Sequence, residues 1–519
     1  MVNSGYLAIK DASDDKYSAL IKNDFTTTGT LETGFYADST SDKIKVGGSA
    51  TVGGKWVLRP NRDFYSNNLQ VSPESPVRTN AGAVNNFSSV GIVGSFSPTL
   101  KMRLTDNTAA SPKVEMYRDS DAYSKYAESG ADAEVGSALY GIASEAQGDM
   151  QELITSLDFS DMQGKTVTSA LKQLGPSAFD YGSMTALKDS TAVTGEMMRH
   201  MQGTMLSSRY NNLYNSDSLM ASNSYDLNSG IKGVSDRKLI GFVIPYGDFT
   251  KQSGSNGLDN MRSYSGGVVV GAECVRDDGV TYGIHGGLSI RNTKVKAENV
   301  SKIDSQGLFV GLHGSISPEE WGGYYAEGQV KAGWYENQSK RYIDFNNYSR
   351  KAKGNYSTYS TGLSLGGGYD FTYGTLSFGP MAYTEYNFIH NQGFTEKRGD
   401  ATNLKVKSTN ANSLQTTLGG HLLKMWSPSQ EIGLSADFRT GFKHEFLDDK
   451  FHTRASFSDY GSYSFESYTK GAGRNSIFCQ SELTLENRKY RTFASLSFGY
   501  EHHRNADIYN VGIKAGLKF

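Results

Sequence analysis

The chain has 519 residues, enough for two or three domains, and its 52 Lys and Arg against 54 Asp and Glu give a formal net charge of -2. That balance encodes no global attraction to nucleic acid or anionic lipid, so we expect no nucleic-acid partner. Hydrophobic residues make up 37%, the mean hydropathy is -0.49, and no apolar run approaches the roughly 18 residues that a membrane-spanning helix requires. The composition excludes a helical membrane protein.

Residues 1–117 contain short runs in which apolar and polar residues alternate, separated by Gly, Asn and Ser turns. The clearest runs are 29–38, 42–52 and 55–60, and alternation at a period of two is typical of strands. The runs lack a clean internal repeat, as expected of the capping end of a solenoid, which differs from the repeats that it closes. This segment is predicted to be the end of a β-solenoid.

Residues 118–235 change period. The runs 131–146, 149–157 and 164–174 place apolar residues three and four positions apart, which is typical of helices. The stretch from about 183 to 222 has no proline and predicts one long, rather polar helix.

That long helix carries an apolar stripe at helical spacing, made of Met197, Met198, Met201, Met205 and Leu206. Ordinary core packing explains such a stripe, and so does the lining of a pore. Neither explanation needs a cofactor, and we predict none.

Residues 236–519 contain about twelve candidate strands, in most of which one parity is apolar or aromatic while the other is Gly, Ser, Thr or charged. In the run 280–291, Tyr282 and Ile284 share one face, while Thr281 lies on the other. A membrane-spanning β-barrel shows an apolar residue to lipid at every second position, although a soluble sheet can show the same alternation.

The lengths of the connections favour the barrel, because periplasmic turns are short and external loops are long. Short and long joins mostly alternate along the segment, which predicts an even number of strands with both ends on one side; the short last join, 504–506, is an exception. The predicted short joins are 277–279, 317–322, 372–374, 426–430 and 487–489, and the long ones are 252–262, 337–356, 390–411 and 446–474.

The last strand closes the predicted barrel. One of its faces is apolar and ends on a free carboxylate after Phe: Tyr509, Val511, Ile513, Ala515, Leu517 and Phe519. An open strand edge in lipid would leave backbone donors and acceptors unpaired, so this strand is expected to pair with the first.

Two features resemble known proteins. The alternating strand that ends in Phe519 resembles the assembly signal of bacterial outer-membrane proteins, and residues 266–290 resemble a strand pair of autotransporter barrels. Further stretches similar to that family lie at 333–338, 366–386, 413–422 and 441–446. The sequence departs from the family at Gln415 and Thr416, where related barrels often carry Arg.

The resemblance implies a type V secretion protein of the bacterial outer membrane, contacting outer-membrane lipid. It implies that the barrel assembly machinery inserts residues 236–519, that the helix of 183–222 threads the lumen, and that a β-helical passenger is displayed or released at the cell surface, where it can meet host surfaces. The sequence shows no export signal after Met1, so we expect it to be a piece of a longer protein.

Two short motifs are candidate sites. Asn211 and Asn212 resemble the paired-Asn cleavage site of some self-processing autotransporters, although Asn pairs are also common at helix ends. Arg398, Gly399 and Asp400 form a tripeptide that could bind adhesion receptors, or that occurs by chance in a polar loop.

No catalytic or metal site is predicted. The run 362–366 fits G-x-S-x-G, but that motif needs a strand-to-helix elbow and both of its flanks continue as strand. His285, His313 and His421 fall at polar-parity positions of different strands, without the spacing of a zinc site, and are predicted to line the lumen.

The two cysteines are predicted to be free. Cys274 and Cys479 have apolar parity on the second and tenth predicted strands, which are not neighbours in a twelve-stranded barrel. A disulfide requires Cα atoms within about 7 Å. Both thiols are therefore expected to face lipid.

The sequence favours a translocator that anchors and helps to export a passenger and has no enzymatic activity of its own. A self-standing outer-membrane porin or adhesin is the alternative. A surface hydrolase whose catalytic passenger lies upstream is a third hypothesis, since passengers are modular.

Overall fold

The structure is a computed structural model that describes residues 1–9, 17–218, 237–254, 260–276, 278–296, 299–447 and 450–519. From the N-terminus to the C-terminus, the chain forms a strand-rich segment, four α-helices and a large closed sheet.

The N-terminal segment is a β-solenoid, as predicted. Its strands stack in parallel in three sets, β1-β4-β7, β2-β5-β8-β12 and β3-β6-β10, and the antiparallel strands β13, β14 and β9 lie at its end. The strands are β1 Val2–Asn3, β2 Tyr6–Ile9, β3 Tyr17–Ile21, β4 Phe25–Thr27, β5 Thr30–Phe35, β6 Lys43–Val46, β7 Ala50–Val52, β8 Lys55–Pro60, β9 Leu69–Val71, β10 Val77–Thr79, β11 Gly82–Val84, β12 Ser89–Ile92, β13 Lys101–Asp106 and β14 Lys113–Tyr117.

The solenoid core is built by stacking apolar residues from successive turns. Leu31 lies directly beside Trp56 in the parallel register of β5 and β8, and both are fully buried. The indole N–H of Trp56 donates to the Thr33 hydroxyl at 2.8 Å, so the one polar atom of that ring is satisfied inside the core.

The helices are α1 Gly130–Ile142, α2 Asp149–Asp158, α3 Lys165–Leu174 and α4 Ser177–Ser218. The hydroxyl of Ser129 caps α1 by accepting a hydrogen bond from the backbone N–H of Asp132. None of the helices in the described part of the chain combines the length and the apolar character needed to cross a bilayer.

The long helix α4 begins six residues before the predicted start at Ser183. Gly182 lies inside it, because α4 approaches the barrel wall closely there: a Cβ at this position would lie 2.9 Å from the Ile303 Cδ1 atom. The glycine therefore marks a helix-to-strand contact rather than a helix end.

Twelve antiparallel strands close into a barrel, which confirms the predicted fold. They are β15 Arg237–Gln252, β16 Asn260–Arg276, β17 Val280–Lys296, β18 Val300–Ile316, β19 Tyr324–Phe345, β20 Tyr348–Tyr369 with its short continuation β21 Phe371–Tyr373, β22 Leu376–Asn391, β25 Thr409–Trp426, β26 Ile432–Glu445, β29 Asn475–Asn487, β30 Thr492–His503 and β31 Ala506–Lys518. We call the end with the connections near 278, 320, 374, 429 and 489 the turn end, and the opposite end the loop end.

Residues 337–356, predicted as a long loop, are continuous strand. β19 runs to Phe345 and β20 starts at Tyr348, so that a two-residue turn with Asn346 at φ 50° joins them. The outward positions of this hairpin are polar and made it look like a loop in the sequence. Its inward positions Ile343, Phe345 and Tyr348 are buried, and they keep the strand pattern beyond the lipid boundary.

The predicted loops 390–411 and 446–474 contain a second sheet, which was also missed. Its four strands lie in the order β23-β24-β27-β28. β23 and β24 are too short to give a pattern of their own, while the buried positions of β27 and β28 mix apolar residues with Thr453, Ser467 and Thr469, which weakens the alternation. They are β23 Phe394–Thr395, β24 Leu404–Val406, β27 Lys450–Phe457 and β28 Ser464–Lys470.

Helices α1, α2 and α3, which we call the cap, pack on the loop end. They share one hydrophobic core with the β19–β20 hairpin and with the second sheet. This core includes Leu139, Ile142, Leu153, Ile154, Leu157, Leu171, Ile343, Phe345, Tyr348, Leu404, Phe457 and Phe465.

The cap is joined to the solenoid through the buried carboxylate of Asp158, at the end of α2. Asp158 forms an ion pair with Arg118, and it accepts hydrogen bonds from the Tyr123 hydroxyl at 3.0 Å and from the Thr99 hydroxyl at 2.6 Å. Burial raises the pKa of Tyr123 well above its usual value and keeps the hydroxyl available as a donor. The solenoid, the cap and the barrel thus form a continuous packed structure.

The cap is also held by Asp149, at the start of α2. Its carboxylate accepts hydrogen bonds from Arg350, from the Tyr348 hydroxyl at 2.6 Å and from the backbone N–H of Ala401 at 3.0 Å. Burial favours the neutral acid, but these donors outweigh it, so the pKa of Asp149 lies below its ordinary value. Docking of the cap on the barrel therefore favours the ionised carboxylate.

We expect Asp149→Asn to weaken cap docking by about 1 kcal/mol at neutral pH. The folded pKa is depressed, so the contribution is fully present above the unfolded carboxyl pKa of about 4 and is lost as pH falls through the folded value. Hydrogen exchange of the α2 amides should differ between wild type and variant at pH 7, and this difference should shrink towards pH 3. The exposed Asp121→Asn is the matched control, and a difference that does not depend on pH would contradict the prediction.

Candidate functional site

Helix α4 runs through the lumen of the barrel from the loop end to the turn end. At the loop end the Phe179 ring contacts Phe394 and Tyr356, with centroid distances of 5.1 and 6.3 Å. Near the turn end Met205 packs against Tyr325 and Leu423. The 26 residue steps between Phe179 and Met205 span about 39 Å, more than the roughly 30 Å of the hydrocarbon core.

Polar side chains of the wall hold the middle of α4. The Lys331 ammonium, on β19, donates to the Thr194 hydroxyl at 2.6 Å and to the Ser190 carbonyl. The Gln329 amide donates to the Thr194 carbonyl at 3.0 Å, and the Ser190 hydroxyl donates to Asn387 on β22 at 2.8 Å. Two carbonyls of α4 therefore accept bonds from the wall in addition to those within the helix.

A second polar cluster lies around Glu273, on β16. Its carboxylate lies 3.2 Å from His200 Nε2 on α4 and 3.3 Å from His313 Nε2 on β18, and it accepts a hydrogen bond from the Thr204 hydroxyl at 2.9 Å. His285 Nδ1 lies 3.1 Å from His313 Nδ1. The buried histidines of the wall thus line the lumen, as their parity predicted. Among the described residues, no group of three or more His, Cys, Asp or Glu side chains is arranged to hold a metal ion.

The methionine stripe of α4 packs against the lumen wall. Met197 is fully buried in one hydrophobic cluster with Phe242, Ile244 and Val269 of β15 and β16. The stripe is therefore both core packing and pore filling, while the side chain of Leu206 lies outside the described residues. On another side α4 leaves a cavity of about 140 Å³, whose mixed lining includes the charged residues Lys188, Glu196, Arg199, Lys443 and Glu501.

Arg341, on β19, fixes the corner between α3 and α4. Its guanidinium pairs with Glu396 at 2.8 Å and donates to the carbonyls of Gln173 at 2.9 Å, Gly175 at 3.2 Å and Thr402 at 2.9 Å. The side chain is almost completely buried. This role could not be predicted from the sequence, because Arg341 falls in the stretch predicted as a loop.

The predicted closing strand forms the seam of the barrel. β31 pairs with β15, with Val511 opposite Gly247 and Ala515 opposite Val243. The backbone N–H of Phe519 donates to the Leu239 carbonyl at 2.8 Å. The apolar face of this strand points out of the barrel, and the Phe519 side chain is 63% exposed.

The tripeptide Arg398, Gly399 and Asp400 forms a tight turn beside the cap. Arg398 and Asp400 have φ of 68° and 48°, and a Cβ on Gly399 would lie 2.7 Å from the Ala352 Cβ. The Asp400 carboxylate lies 3.2 Å from Nε of Arg350. The turn thus contributes to cap docking, and receptor binding stays a prediction.

The remaining candidates are placed as follows. Asn211 and Asn212 lie in the helical backbone of α4, and their side chains are outside the described residues. The G-x-S-x-G run lies within β20, as its flanks predicted. Cys274 is half-buried on β16, Cys479 is exposed on β29, and both are free.

Residues 241–501 match the family model described as Autotransporter beta-domain. The chain belongs to the autotransporter family. It is an outer-membrane translocator that mediates export of a passenger. The translocator domain of an autotransporter is a transport domain and not a catalytic one.

Solved autotransporter barrels are similar to this one in structure. The translocator domain of NalP from Neisseria meningitidis is 15% identical, with a TM-score of 0.42, over 64% of this chain and 98% of that one. The transport unit of AIDA-I from Escherichia coli is also 15% identical, with a TM-score of 0.37, over 60% of this chain and 99% of that one. The search of curated proteins found no match.

We expect Lys331→Met to loosen α4, because methionine fills the space of the lysine stem but cannot donate the two hydrogen bonds that the ammonium makes to the helix. Amide exchange around Ser190 to Thr194 should accelerate by about tenfold or more. Lys489→Met, at an exposed turn, is the control. Unchanged exchange in Lys331→Met would show that the ammonium does not hold the helix.

Proposed function

We propose that the chain is the membrane-anchored end of an autotransporter in the state that follows export. In this state α4 remains in the barrel as a plug, while the cap and the solenoid end lie at the cell surface. Residues 1–117, 118–235 and 236–519 then act as the passenger end, the linker and the translocator, without catalysis by any of them. The path of α4 from the extracellular end to the turn end supports the proposal most directly.

The contacts of α4 explain how one barrel can let the passenger pass during export and can be closed by the helix afterwards. The lumen surface is polar, so it tolerates an extended polar chain in transit. Once α4 has formed, bonds such as those from Lys331 and Gln329 hold it against the wall. The cap then packs on the extracellular hairpins, so that backward movement requires it to be pulled off its hydrophobic core.

The alternative of a self-standing porin requires a lumen open to solutes. Helix α4 occupies the lumen through the whole thickness of the membrane, so the arrangement favours the translocator over the porin.

Accessibility of single cysteines tests the orientation. In a Cys274→Ser, Cys479→Ser background carrying an export signal, Lys405→Cys lies on the extracellular sheet and Asp278→Cys lies at a periplasmic turn, and both positions are exposed. An impermeant maleimide should label Lys405→Cys in intact cells, and Asp278→Cys only after permeabilisation. Equal labelling of both in intact cells would refute the proposed orientation.

We further propose that the barrel assembly machinery recognises β31 through its C-terminal aromatic residue. Because the Phe519 side chain is 63% exposed, Phe519→Ser should cost little stability once the barrel is folded. The amount of assembled, heat-modifiable barrel in the outer membrane should nevertheless fall several-fold. Tyr373→Ser removes another aromatic residue, 83% exposed, from the turn end and is the matched control. An equal fall in both variants would contradict a specific terminal signal.

Cleavage between Asn211 and Asn212 remains part of the proposal for passenger release. It would occur inside the barrel and would leave a membrane fragment that begins at Asn212. Mass spectrometry of the protein recovered from outer membranes tests this, and finding the uncleaved chain alone would rule it out.

A further inference from the structure

Six consecutive strands of the barrel carry a row of cations in direct register. Each member lies opposite the next across a strand pair, from β15 to β20. We call this row the cationic ladder; it consists of Lys251, Arg262, Lys294, Lys302, Lys340 and Lys353.

The ladder lies on the outer face of the barrel, above the lipid. In β18, Lys302 has the same parity as the exposed Leu308, Val310 and Leu312, so it points away from the lumen. The same parity argument holds for Lys294 beside Ile290 on β17, since both are even-numbered. The ladder is therefore a continuation of the lipid-facing surface towards the cell exterior.

Such a row is unfavourable in the absence of a ligand. Like charges directly opposite one another destabilise a strand pair, and the ladder contains five such pairs in succession. The neighbouring acidic groups offset only part of this charge. Asp304 lies 3.4 Å from Lys340, and Asp507 lies opposite Lys251. A bound polyanion would relieve the repulsion.

Two grooves beside the ladder are lined by several of its cations. One, of about 540 Å³, is lined by Lys294, Lys296 and Lys302, with Tyr342 and Asp344 on its other side. The second, of about 450 Å³, is lined by Lys340, Lys353, Lys397 and Arg398. Lys397 is fixed there by paired backbone hydrogen bonds to Lys353, at 2.7 and 2.8 Å. Each groove therefore presents at least three cations to one small anionic group.

The position of the ladder relative to the membrane indicates which kind of ligand can bind it. On β15 and β16 the cations are the next outward residues after Phe249 and Tyr264, at the lipid boundary. On β18 the cation Lys302 lies six residues beyond Leu308, or about 20 Å along the strand. A ligand that follows the row thus begins in the bilayer and extends into the extracellular layer.

We propose that the cationic ladder binds a phosphorylated glycolipid of the outer leaflet. Its phosphate groups occupy the two lysine-lined grooves, and its acyl chains lie on the apolar surface below. Lysine ammonium groups suit phosphate, and each contributes to binding near a charged membrane surface. The chain as a whole is nearly neutral, so this attraction is local to the β15–β20 side of the barrel.

The test compares two triple variants of the full chain in detergent micelles. The first, Lys302→Gln, Lys340→Gln and Lys353→Gln, interrupts the ladder. The control, Lys407→Gln, Lys450→Gln and Lys470→Gln, removes the same charge from exposed positions of the extracellular sheet. Binding of a bisphosphorylated diglucosamine lipid, its dephosphorylated form and inorganic pyrophosphate is measured by native mass spectrometry and titration.

The ladder variant should bind the bisphosphorylated lipid about tenfold more weakly or worse, while the control should keep its affinity. Without lipid, the ladder variant should melt at a higher temperature than wild type, since cross-strand repulsion is relieved. A merely structural role would lower that melting temperature instead. If the triple variant fails to fold, the single variant Lys340→Gln should still bind the lipid more weakly and melt at a higher temperature than wild type, each to a smaller extent.

Other outcomes overturn the proposal. Equal weakening in the ladder and control variants would show non-specific attraction. Wild-type affinity in the ladder variant would exclude the site. Pyrophosphate that binds as tightly as the lipid would assign the grooves to soluble phosphate rather than to a membrane lipid.

Discussion

The requirement that no backbone donor or acceptor remain unpaired in lipid governs this structure. A sheet in a bilayer satisfies it only by closing, and here the closure is the pairing of β31 with β15. Closure with twelve strands creates a lumen too wide for wall side chains to fill from opposite sides. The interior must then hold water or another part of the chain.

The chain fills its own lumen with a helix that would be a poor membrane span. Helix α4 is polar because its environment is the polar inner wall and not lipid. Its carbonyls and hydroxyls meet donors such as Lys331 and Gln329, while Met197 and Met205 fill the irregular apolar spaces. The barrel wall surrounds α4 on every side and presents both polar and apolar side chains to it. The helix therefore shows only a weak amphipathic pattern.

The sequence predicted the structure well where the surroundings of successive residues repeat regularly along a strand. Within the membrane every second residue meets lipid, so parity identified the strands, the outward closing face ending at Phe519, and the lumen position of His285. It failed where the environment changed. The β19–β20 hairpin leaves lipid at about Trp334, so its outward residues become polar and only the inward ones, such as Phe345, retain the signal.

Other features depended on contacts between distant parts of the chain. Gly182 gave no sign of its role in the sequence; it lies inside α4, where the helix closely approaches Ile303. Arg341 looked like a loop residue, although its guanidinium closes the corner between α3 and α4 on Glu396. Neither role could be predicted from local sequence, because each is defined by partners more than fifty residues away.

The composition of the cap core implies an order of events. Phe345 and Tyr348 come from the hairpin in the first half of the barrel, whereas Phe457 and Phe465 come from a sheet inserted in the second half. The two halves are joined by the pairing of β20 with β22, so the hairpin and the inserted sheet meet at the loop end once these parts of the barrel have formed. The helices of the cap can bury their apolar faces against both only after they have reached that side. Cap docking therefore follows the formation of this surface and, in the proposed state, export of the linker. Since α4 is connected to the cap through the corner held by Arg341, docking of the cap also positions the helix that seals the lumen.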